Sequence, residues 1–542
     1  MLLTEMIPAY FLGQADEIGT DVHLFLDDFA IEDRWDATRV QNEAVRHPRN
    51  PVLIADQPWE RTVFSPVVLY DDEARRFRMW YALGSTSAWT KGLTGMATDP
   101  KDYGPYIMSY AESEDGVQWQ KPLTDRFPYH GYDRTNIVFT GRERCQEFSV
   151  TYTPEPMAQY GRFMCEYKDG AHKEYAQKDL NDYEVHDAVC LAFSDDGVTW
   201  RPYEGNPVHP ALDAKYNIYW DARLDHWIMT GRPFARAATE ELQRLVGKAL
   251  KSGTALTAAG GLGGGEGVPG TAEAGIAGIG RAGAVENVRT RISIHVSPDL
   301  KTWYPPREVL MPDAADDAEQ MFFDHMTMEP YGSQYLGYLG VQPRDGTGHS
   351  WIELTASPDG LRWYRPRERK PFLAIGTEGS WDAGHVWAIR GAVPYGEWLY
   401  LYYSGSSRPW RYRFPDNNKS IGLARIRRDR FVGYHGDVNG GHLISREVKV
   451  SGPRLLVNCS AEHRAFSREW HGSLHTELVE RSGRAIPGHT FADCDPNHVD
   501  DIAVPITWKG KDMSSLVGRD VYIRFFMRNM YVFGYRFGAS EG

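Results

Sequence analysis

Short runs of alternating hydrophobic and polar residues recur along the chain, separated by turn-forming Gly, Asp, Asn and Pro. Because the side chains of a strand point alternately to its two faces, this period of two predicts β-strands. The runs come in groups, and each group predicts a four-stranded antiparallel unit joined by turns. The sequence therefore predicts an all-β protein.

One short phrase marks four of these units. It reads Ser-x-Asp-x-x-x-Trp, and its copies are Ser113–Trp119, Ser194–Trp200, Ser297–Trp303 and Ser357–Trp363. We call it the turn staple, because it predicts a tight hairpin whose Trp ring folds back over the turn. An Asp in a turn bonds its own backbone, so Asp115, Asp196 and Asp359 are expected to be structural.

A fifth unit, AIRGAVPYGEWLYLYYSG followed by SIGLARI, has the same order of strands without the staple. Five repeated units of this size are typical of the blades of a β-propeller. Pro66 lies inside the first strand of the first unit and suits the innermost strand of a blade, which has a free edge. A Gly/Ala-rich segment at about 241–287 reads as an insertion into the third unit. We expect a flexible loop there, with a lid or an oligomer contact as alternatives.

After about residue 437 the repeats cease and a second β-rich region begins. Its strand-like runs include HLISREVKV, RLLVNCSA, DVYIRFFMRN and MYVFGYRF. Their alternation and turn spacing predict a β-sandwich. The predicted organisation is a five-bladed β-propeller over 1–436 followed by a β-sandwich over 437–542.

Composition and charge narrow the class of protein. The chain has 60 Lys and Arg against 73 Asp and Glu, a net charge of −13, which argues against a nucleic-acid partner. No apolar run approaches the roughly 18 residues that span a bilayer, and the first residues lack the features of a signal peptide. We therefore expect a cytoplasmic protein without a membrane partner. Five scattered cysteines without a CxxC pair predict reduced, buried thiols.

Several motifs occur in a characteristic order: LFLDDFAIE, FRMWYA, SEDGVQW, SDDGVTW, TGRP, GSWDAGHVW, LYYSG, GGHLISREV, LHTELVERSGRAIPG and DCDP. Their order resembles that of a broad bacterial family of glycoside-hydrolase-like proteins, in which a five-bladed propeller precedes a β-sandwich as in the invertase and levanase type. The resemblance spans nearly the whole chain apart from the Gly/Ala-rich segment. It implies the same architecture and a carbohydrate substrate.

One acidic residue enters the first strand of each unit. The five are Glu60, Glu147, Asp213, Asp324 and Asp382. The long connections between second and third strands crowd the same rim, which we expect to form a binding funnel. Cleavage of a glycosidic bond needs one protonated acid for the leaving oxygen and one carboxylate as nucleophile or base. The structural alternative for each acid is a strand cap or an ion pair with arginine.

The resembled family uses three acids, one from each of its first three blades. Carried over by position, the resemblance implies Glu60 as nucleophile or base, Glu147 as transition-state stabiliser and Asp213 as acid. The family's usual residues are Asp, Asp and Glu, and its Asn-Asp-Pro and Arg-Asp-Pro tripeptides are absent at these positions. Asp382, within GSWDAGHVW, is therefore a rival for a catalytic role.

Further residues on the same rim are expected to bind substrate. They are Asp324, Arg232, His325, His385 and Trp381. The guanidinium suits a pair of sugar hydroxyls, the histidines suit hydroxyls or a carboxylate, and the indole suits a sugar face. Each has a structural alternative, such as a salt bridge or packing between blades. No spacing demands a metal, although the acids could hold calcium.

The sequence thus predicts a glycoside hydrolase that cleaves a short oligosaccharide or a glycoside, with furanosides among the candidates. Two alternatives stay open: a carbohydrate-binding propeller without catalysis, and a glycosyl transferase or phosphorylase on the same fold. No cofactor is expected. Carbohydrate is the expected partner, and a homo-oligomer is also considered.

Overall fold

The computed structural model describes residues 14–84, 106–129, 131–142, 144–170, 177–178, 184–185, 187–210, 212, 214–232, 291–313, 321–343, 347–366, 368–409, 419–462 and 472–539. These residues are nearly all β, which confirms the predicted class. Helix within them consists of three short 3-10 segments, Asp28–Ala30, Glu155–Tyr160 and Ser514–Leu516. The Gly/Ala-rich segment and Asp213 lie outside the described residues.

Five antiparallel sheets follow one another along the chain, and we number them I to V. Sheet I contains Thr62–Asp71, Arg76–Gly84, Tyr106–Ser113 and Ile137–Phe139. Sheet II contains Gln146–Tyr152, Phe163–Asp169, Ala188–Ser194, Arg201–Pro202 and His209–Pro210. Sheet III contains Ala214–Asp221, His226–Arg232, Ile292–Ser297 and Arg307–Leu310. Sheet IV contains Met321–Tyr331, Gln334–Pro343 and Trp351–Ser357. Sheet V contains His385–Trp387, Val393–Tyr395, Trp398–Ser406, Ser420–Arg427 and Val45–Arg46. A separate two-stranded sheet pairs Gln177–Lys178 with Glu184–Val185.

Each of the five sheets is hydrogen-bonded to the next in a closed cycle. The bonds that make the cycle are Arg162 to Asp71 (2.8 Å), Lys168 to the Leu212 carbonyl (3.4 Å), Asn217 to the Met328 carbonyl (2.8 Å), the Ala388 N–H to His325 (3.2 Å) and the Ser65 N–H to Ser404 (2.7 Å). They join sheet I to II, II to the segment that enters III, III to IV, IV to V, and V back to I. The five sheets therefore form a closed ring around a common centre.

The outermost strand of sheet V comes from the N-terminal part of the chain. Val45 and Arg46 pair antiparallel with Arg425 and Ala424. Strand pairing between residues so far apart in sequence closes the cycle without a covalent link. The sequence patterns, which assign four strands to the fifth unit from its own residues, do not reveal this closure.

The turn staples have the predicted geometry. The Asp115 carboxylate accepts the backbone N–H groups two and three residues on, both at 2.8 Å. The Trp200 indole folds back and donates to the Gly197 carbonyl of its own turn at 3.1 Å. In the third staple, Trp303 instead donates to the Val208 carbonyl of the neighbouring unit at 2.8 Å. The repeated phrase thus stabilises its own turn, and in the third unit it also contacts the preceding sheet.

Two further sheets, VI and VII, enclose a hydrophobic core of their own. Sheet VI contains Ala37–Gln41, Val432–Gly436, Met530–Gly538, Arg454–Ala461 and Asp500–Ile506, with His23–Leu24 paired to Met530–Gly538. Sheet VII contains Ile31–Trp35, Gly441–Ser445, Asp520–Arg528, Val448–Lys449 and Ser473–Val479. Runs of alternating buried and exposed residues form these strands, as the sequence pattern predicts.

The strand pairing departs from the expected boundary at residue 437. His23–Leu24, Ile31–Trp35 and Ala37–Gln41 lie before that boundary, yet all three pair with strands of sheets VI and VII. Val432–Gly436 also belongs to sheet VI. The reason is long-range pairing, since short N-terminal strands cover sheet edges that would otherwise be open. Periodicity within a segment cannot show which distant strand it pairs with.

The five cysteines are buried and form no disulfide, as the sequence predicts. Burial raises the pKa of Cys459 to about 12 and of Cys494 to about 11, so both are neutral thiols at physiological pH. Among the described residues, no helix has the length and apolar character that crossing a membrane requires.

Candidate active site

A bulge interrupts the first strand of each of sheets I to IV near its beginning. The irregularities lie at residues 65–66, 147–148, 215–216 and 324. Ser65 and Glu147 have left-handed backbones, with φ of 49° and 52°. Bulges re-aim side chains and are common beside active sites, and a non-glycine residue in this conformation stores strain. The bulged beginnings of these first strands are therefore candidates for a functional site.

Glu147 lies in the bulge of sheet II. Its carboxylate is 3.8 Å from the Lys168 ammonium, and its side chain is 15% exposed while that of Lys168 is 5% exposed. A strained backbone and a close cation both fix the position of this carboxylate. Two of the five acids predicted at strand entries, Glu147 and Asp324, lie in these bulges.

Glu166, in the second strand of sheet II, is an acid that the sequence analysis missed. It is 2% exposed, and no described residue forms a hydrogen bond with either carboxyl oxygen. Burial raises the pKa of Glu166 well above its usual range, the Arg390 charge lowers it, and the nearby Cys165 and Glu147 raise it further. The environment of Glu166 therefore favours the protonated form of its side chain.

Arg390 is a charged group that affects Glu166. It belongs to the segment that joins His385–Trp387 to Val393–Tyr395 in sheet V. Its charge lowers the pKa of Glu166. Alternation along Phe163–Asp169 puts Glu166 on the same face of sheet II as Met164, which packs on the side of sheet III.

Asp324, Arg232 and His325 form a second polar group at the centre. Arg232 donates to one carboxylate oxygen of Asp324 at 3.0 Å, and the other oxygen lies 3.1 Å from His325 Nδ1. The Ala388 N–H donates to His325 Nε2, so Nε2 is unprotonated and Nδ1 carries the hydrogen that Asp324 accepts. Three of the predicted binding residues are therefore brought together by direct contacts.

Glu60 lies before the first strand of sheet I, and its oxygens are occupied. Tyr81 and Lys121 donate to it, each at 2.6 Å, and the Asp56 N–H donates at 3.1 Å. The Glu60 side chain is wholly buried in this network. Such contacts match the structural alternative for Glu60, a buried ion pair.

Asp382 is held in a comparable way at the outer part of sheet V. Arg46 donates to it at 2.7 Å, Tyr403 at 2.8 Å and Ser380 at 3.0 Å. Trp381 stacks on the Tyr403 ring, with centroids 5.7 Å apart. Asp382 and Trp381 therefore fasten the N-terminal strand to sheet V, and these contacts match their structural alternatives.

The remaining predicted residues are His385 and Asp213. His385 is buried and stacks on Trp387, with ring centroids 4.1 Å apart. Asp213 lies outside the described residues, and its predicted role as the acid remains a proposal. The described part of the chain contains no group of three or more His, Cys, Asp or Glu side chains that could hold a metal ion.

Neither the family models nor the curated proteins include a match to this chain. Solved structures do resemble it. One is the beta-fructofuranosidase from Schwanniomyces occidentalis complexed with fructosyl-erythritol, with a TM-score of 0.41, 12% identity, and coverage of 92% of this chain and 99% of that one.

Two other resembling structures belong to proteins with different printed activities. Beta-1,2-mannobiose phosphorylase from Listeria innocua has a TM-score of 0.39 and 12% identity, and the match covers 71% of this chain and 96% of that one. An N-acetylgalactosamine deacetylase from F. plautii has a TM-score of 0.39 and 16% identity, with coverage of 72% and 96%. A further resembling structure is described as a glycoside hydrolase, with a TM-score of 0.41, 13% identity, and coverage of 70% of this chain and 92% of that one.

Proposed function

We propose that this chain is a carbohydrate-active enzyme, and specifically a glycoside hydrolase that cleaves a short oligosaccharide or a glycoside. In this proposal sheets I to V are the blades of a five-bladed propeller, and sheets VI and VII form a β-sandwich. The closed cycle of hydrogen bonds between successive sheets supports the propeller. The common core of sheets VI and VII supports the sandwich.

The observation that carries the proposal is the pair of glutamates in sheet II. Glu166 is a buried acid whose oxygens lack hydrogen-bond partners, and Glu147 is a partly exposed carboxylate beside Lys168. Leaving a buried polar group unpaired costs about 1–3 kcal/mol, so such a group usually has a role beyond the fold. Two carboxyl groups in different environments are what glycosidic cleavage requires, one to donate a proton and one to act as nucleophile or base.

The roles follow from the environments of the two groups. Glu147 acts as the nucleophile, or as the base that activates a water, because its carboxylate is partly exposed and lies 3.8 Å from the Lys168 ammonium. Glu166 donates its proton to the leaving oxygen. Asp324, oriented by Arg232 and His325, accepts hydrogen bonds from substrate hydroxyls. Asp213 is retained as an alternative proton donor.

The test uses 4-nitrophenyl glycosides, both pyranosides and furanosides, with release of nitrophenol as the signal. We expect at least one to be hydrolysed by the full chain, and Glu147→Gln and Glu166→Gln to abolish that release. A panel without any turnover, or turnover that survives both substitutions, contradicts the proposal. Repeating the assay with inorganic phosphate separates hydrolysis from phosphorolysis, because only the latter yields a sugar phosphate.

A further inference from the structure

The second strand of sheet IV has a glycine where the imidazole of His325 needs room. Gly340 lies directly opposite His325 in the antiparallel pair, beside the bulge at Asp324. A Cβ added to Gly340 would lie less than 3.0 Å from both Cε1 and Nδ1 of the ring, so the ring would have to move. A glycine inside a strand often marks such a close approach. The position of the imidazole therefore depends on Gly340.

The ring of His325 has no slack in which to move. It is 0% exposed, and both of its nitrogens are held. Nδ1 lies 3.1 Å from an oxygen of Asp324, and Nε2 accepts the Ala388 N–H of sheet V at 3.2 Å. A side chain at position 340 would therefore disturb the contact with Asp324, the contact with sheet V, or both.

Asp324 is held in one orientation from two sides. Its other oxygen accepts from Arg232 at 3.0 Å. The Asp324 side chain is 14% exposed, whereas those of Arg232 and His325 are 9% and 1% exposed. Asp324 is thus the most accessible of the three, and its partners fix its carboxylate before any ligand arrives.

The chemistry of a fixed carboxylate suits a particular feature of sugars. Its two oxygens lie in one plane and accept hydrogen bonds, and sugar hydroxyls are donors. Hydrogen bonds to an ionised acceptor are about twice as strong as neutral ones, and a pair of parallel bonds adds geometric specificity. A pair of bonds requires two hydroxyls that project in the same direction. Neighbouring hydroxyls of one sugar ring meet this requirement.

We propose that Asp324 selects substrates with two adjacent free hydroxyls, and that His325 and Gly340 are positioning residues that hold its carboxylate for this pair. The inference rests on the proposed function, because it concerns the substrate of the same site. It adds the substrate class, which is a glycoside with an unsubstituted vicinal diol. Neither positioning residue needs to contact the substrate.

The experiment compares the best 4-nitrophenyl glycoside with its monodeoxy analogues, each of which lacks one sugar hydroxyl. With the parent protein, loss of either hydroxyl of one neighbouring pair should lower kcat/KM about 10- to 100-fold, as for a hydrogen bond to a charged group. In Gly340→Ala this discrimination should shrink to a few-fold, because the displaced ring no longer holds Asp324. A general folding defect would instead lower kcat/KM equally for all the compounds.

Gly337→Ala is the matched control. Gly337 lies on the same strand, and an added Cβ would lie less than 3.0 Å from Thr355 Oγ1 and from the Trp363 ring. It is three residues from Gly340, so that Cβ points to the opposite face of the sheet. Gly337→Ala should therefore destabilise the protein by crowding and still discriminate between the compounds as the parent does.

Two provisions keep the outcomes distinct. If Gly340→Ala does not fold, His325→Ala replaces it, because it removes the ring without crowding. If no glycoside is hydrolysed, the proposed function fails, and calorimetric affinities of the same compounds for the full chain replace kcat/KM. The inference itself is overturned if no compound binds, if no neighbouring pair of hydroxyls matters, if discrimination survives in the variant that folds, or if Gly337→Ala loses it equally.

Discussion

Two acidic side chains of the ring have opposite environments. At the end of the first strand of sheet I, Asp71 accepts hydrogen bonds from Arg78 at 2.7 Å and Arg162 at 2.8 Å. In the middle of the second strand of sheet II, Glu166 is buried, and no described residue forms a hydrogen bond with its carboxyl oxygens. The first environment stabilises the charged form of an acid, whereas the second disfavours it.

The pKa values express the same contrast. Burial alone would raise the pKa of Asp71, but the Ala74 N–H and the guanidinium groups of Arg162 and Arg78 lower it to about 2. Backbone N–H groups of the staple turns likewise outweigh burial and lower the pKa of Asp196 to about 2. Glu166 has no hydrogen-bond donor, so burial dominates and its pKa is raised. Local hydrogen-bond donors therefore decide whether the pKa of a buried acid is lowered or raised.

The largest expected effect is on catalysis. Glu166→Gln and Glu147→Gln should each lower kcat/KM by about 10²- to 10⁴-fold on the best 4-nitrophenyl glycoside, since each removes one half of the acid–base pair. Glu329→Gln is the matched control. Burial raises the pKa of Glu329 to about 7, but Tyr338 and the Ala392 N–H already bond its oxygens.

Glu329→Gln should therefore leave kcat/KM within a few-fold of the parent. A loss of activity in this control as large as in Glu166→Gln would mean that any buried acid of the ring sustains activity by stabilising the fold. In that case the distinction between the two kinds of buried acid fails.

The next effect is on the pH dependence of stability. The folded pKa of Glu166 is raised, so its stabilising contribution is complete below the unfolded pKa and is lost as pH rises toward the folded value. The parent should lose stability relative to Glu166→Gln by about 1.4 kcal/mol per pH unit above about pH 5. Urea unfolding of both proteins between pH 5 and 7 measures this slope. Parallel curves would show that Glu166 is ionised in the folded state.

Asp71→Asn should change the pH dependence of stability in the opposite sense. The depressed pKa of Asp71 contributes stability above its unfolded pKa of about 3.8, and this is lost as pH falls toward 2. The shift corresponds to about 2 kcal/mol at neutral pH. Glu73→Gln is the control, because Glu73 also contacts Arg162 at 3.2 Å but its side chain is 82% exposed. Equal losses in the two variants would contradict the assignment.

The sequence revealed more of the fold than of the site. The staple phrase predicts local hydrogen bonds, and Asp115 and Trp200 make them within their own turns. The strand Val45–Arg46 pairs with residues of sheet V that lie hundreds of positions later in the chain. A single sequence contains no local pattern that predicts such pairing. Glu60 and Asp382 were predicted as site residues from their positions along the chain. Position alone does not show that Lys121 and Arg46 already pair with these acids.

Glu166 did leave a signal in the sequence. In the strand FMCEYKD, Cys165 and Tyr167 pack against sheet I, while Met164 packs on the side of sheet III. Alternation therefore puts Glu166 on a buried face, where an acid without a partner is costly. A charged residue on a buried face of a second strand, rather than an acid at a strand entry, is the sequence signal that could have predicted the proposed proton donor.

The smallest expected effect is on the free energy of unfolding. Two Gly→Ala changes distinguish the cost of backbone strain from the cost of crowding. Gly360 has φ of +74°, and a Cβ added there would lie 3.0 Å from the Tyr335 ring. Gly483, in a turn beside sheet VII, has φ of +83° and open space around the same position. Both Gly→Ala changes place a side chain in the left-handed region, which costs about 1–2 kcal/mol. Gly360→Ala should cost more than Gly483→Ala in urea unfolding, because the Tyr335 ring must also move.

The third staple already has a residue other than glycine at the position of Gly360. This residue is Leu300, with φ of 62°. Leu300 is 3% exposed within a hydrophobic cluster that includes Trp227. Burying a Leu side chain gains about 1.5–3 kcal/mol, which offsets the backbone strain. Leu300→Gly should therefore destabilise the protein despite relieving that strain. A gain in stability would show that backbone conformation, rather than packing between sheets, dominates these turns.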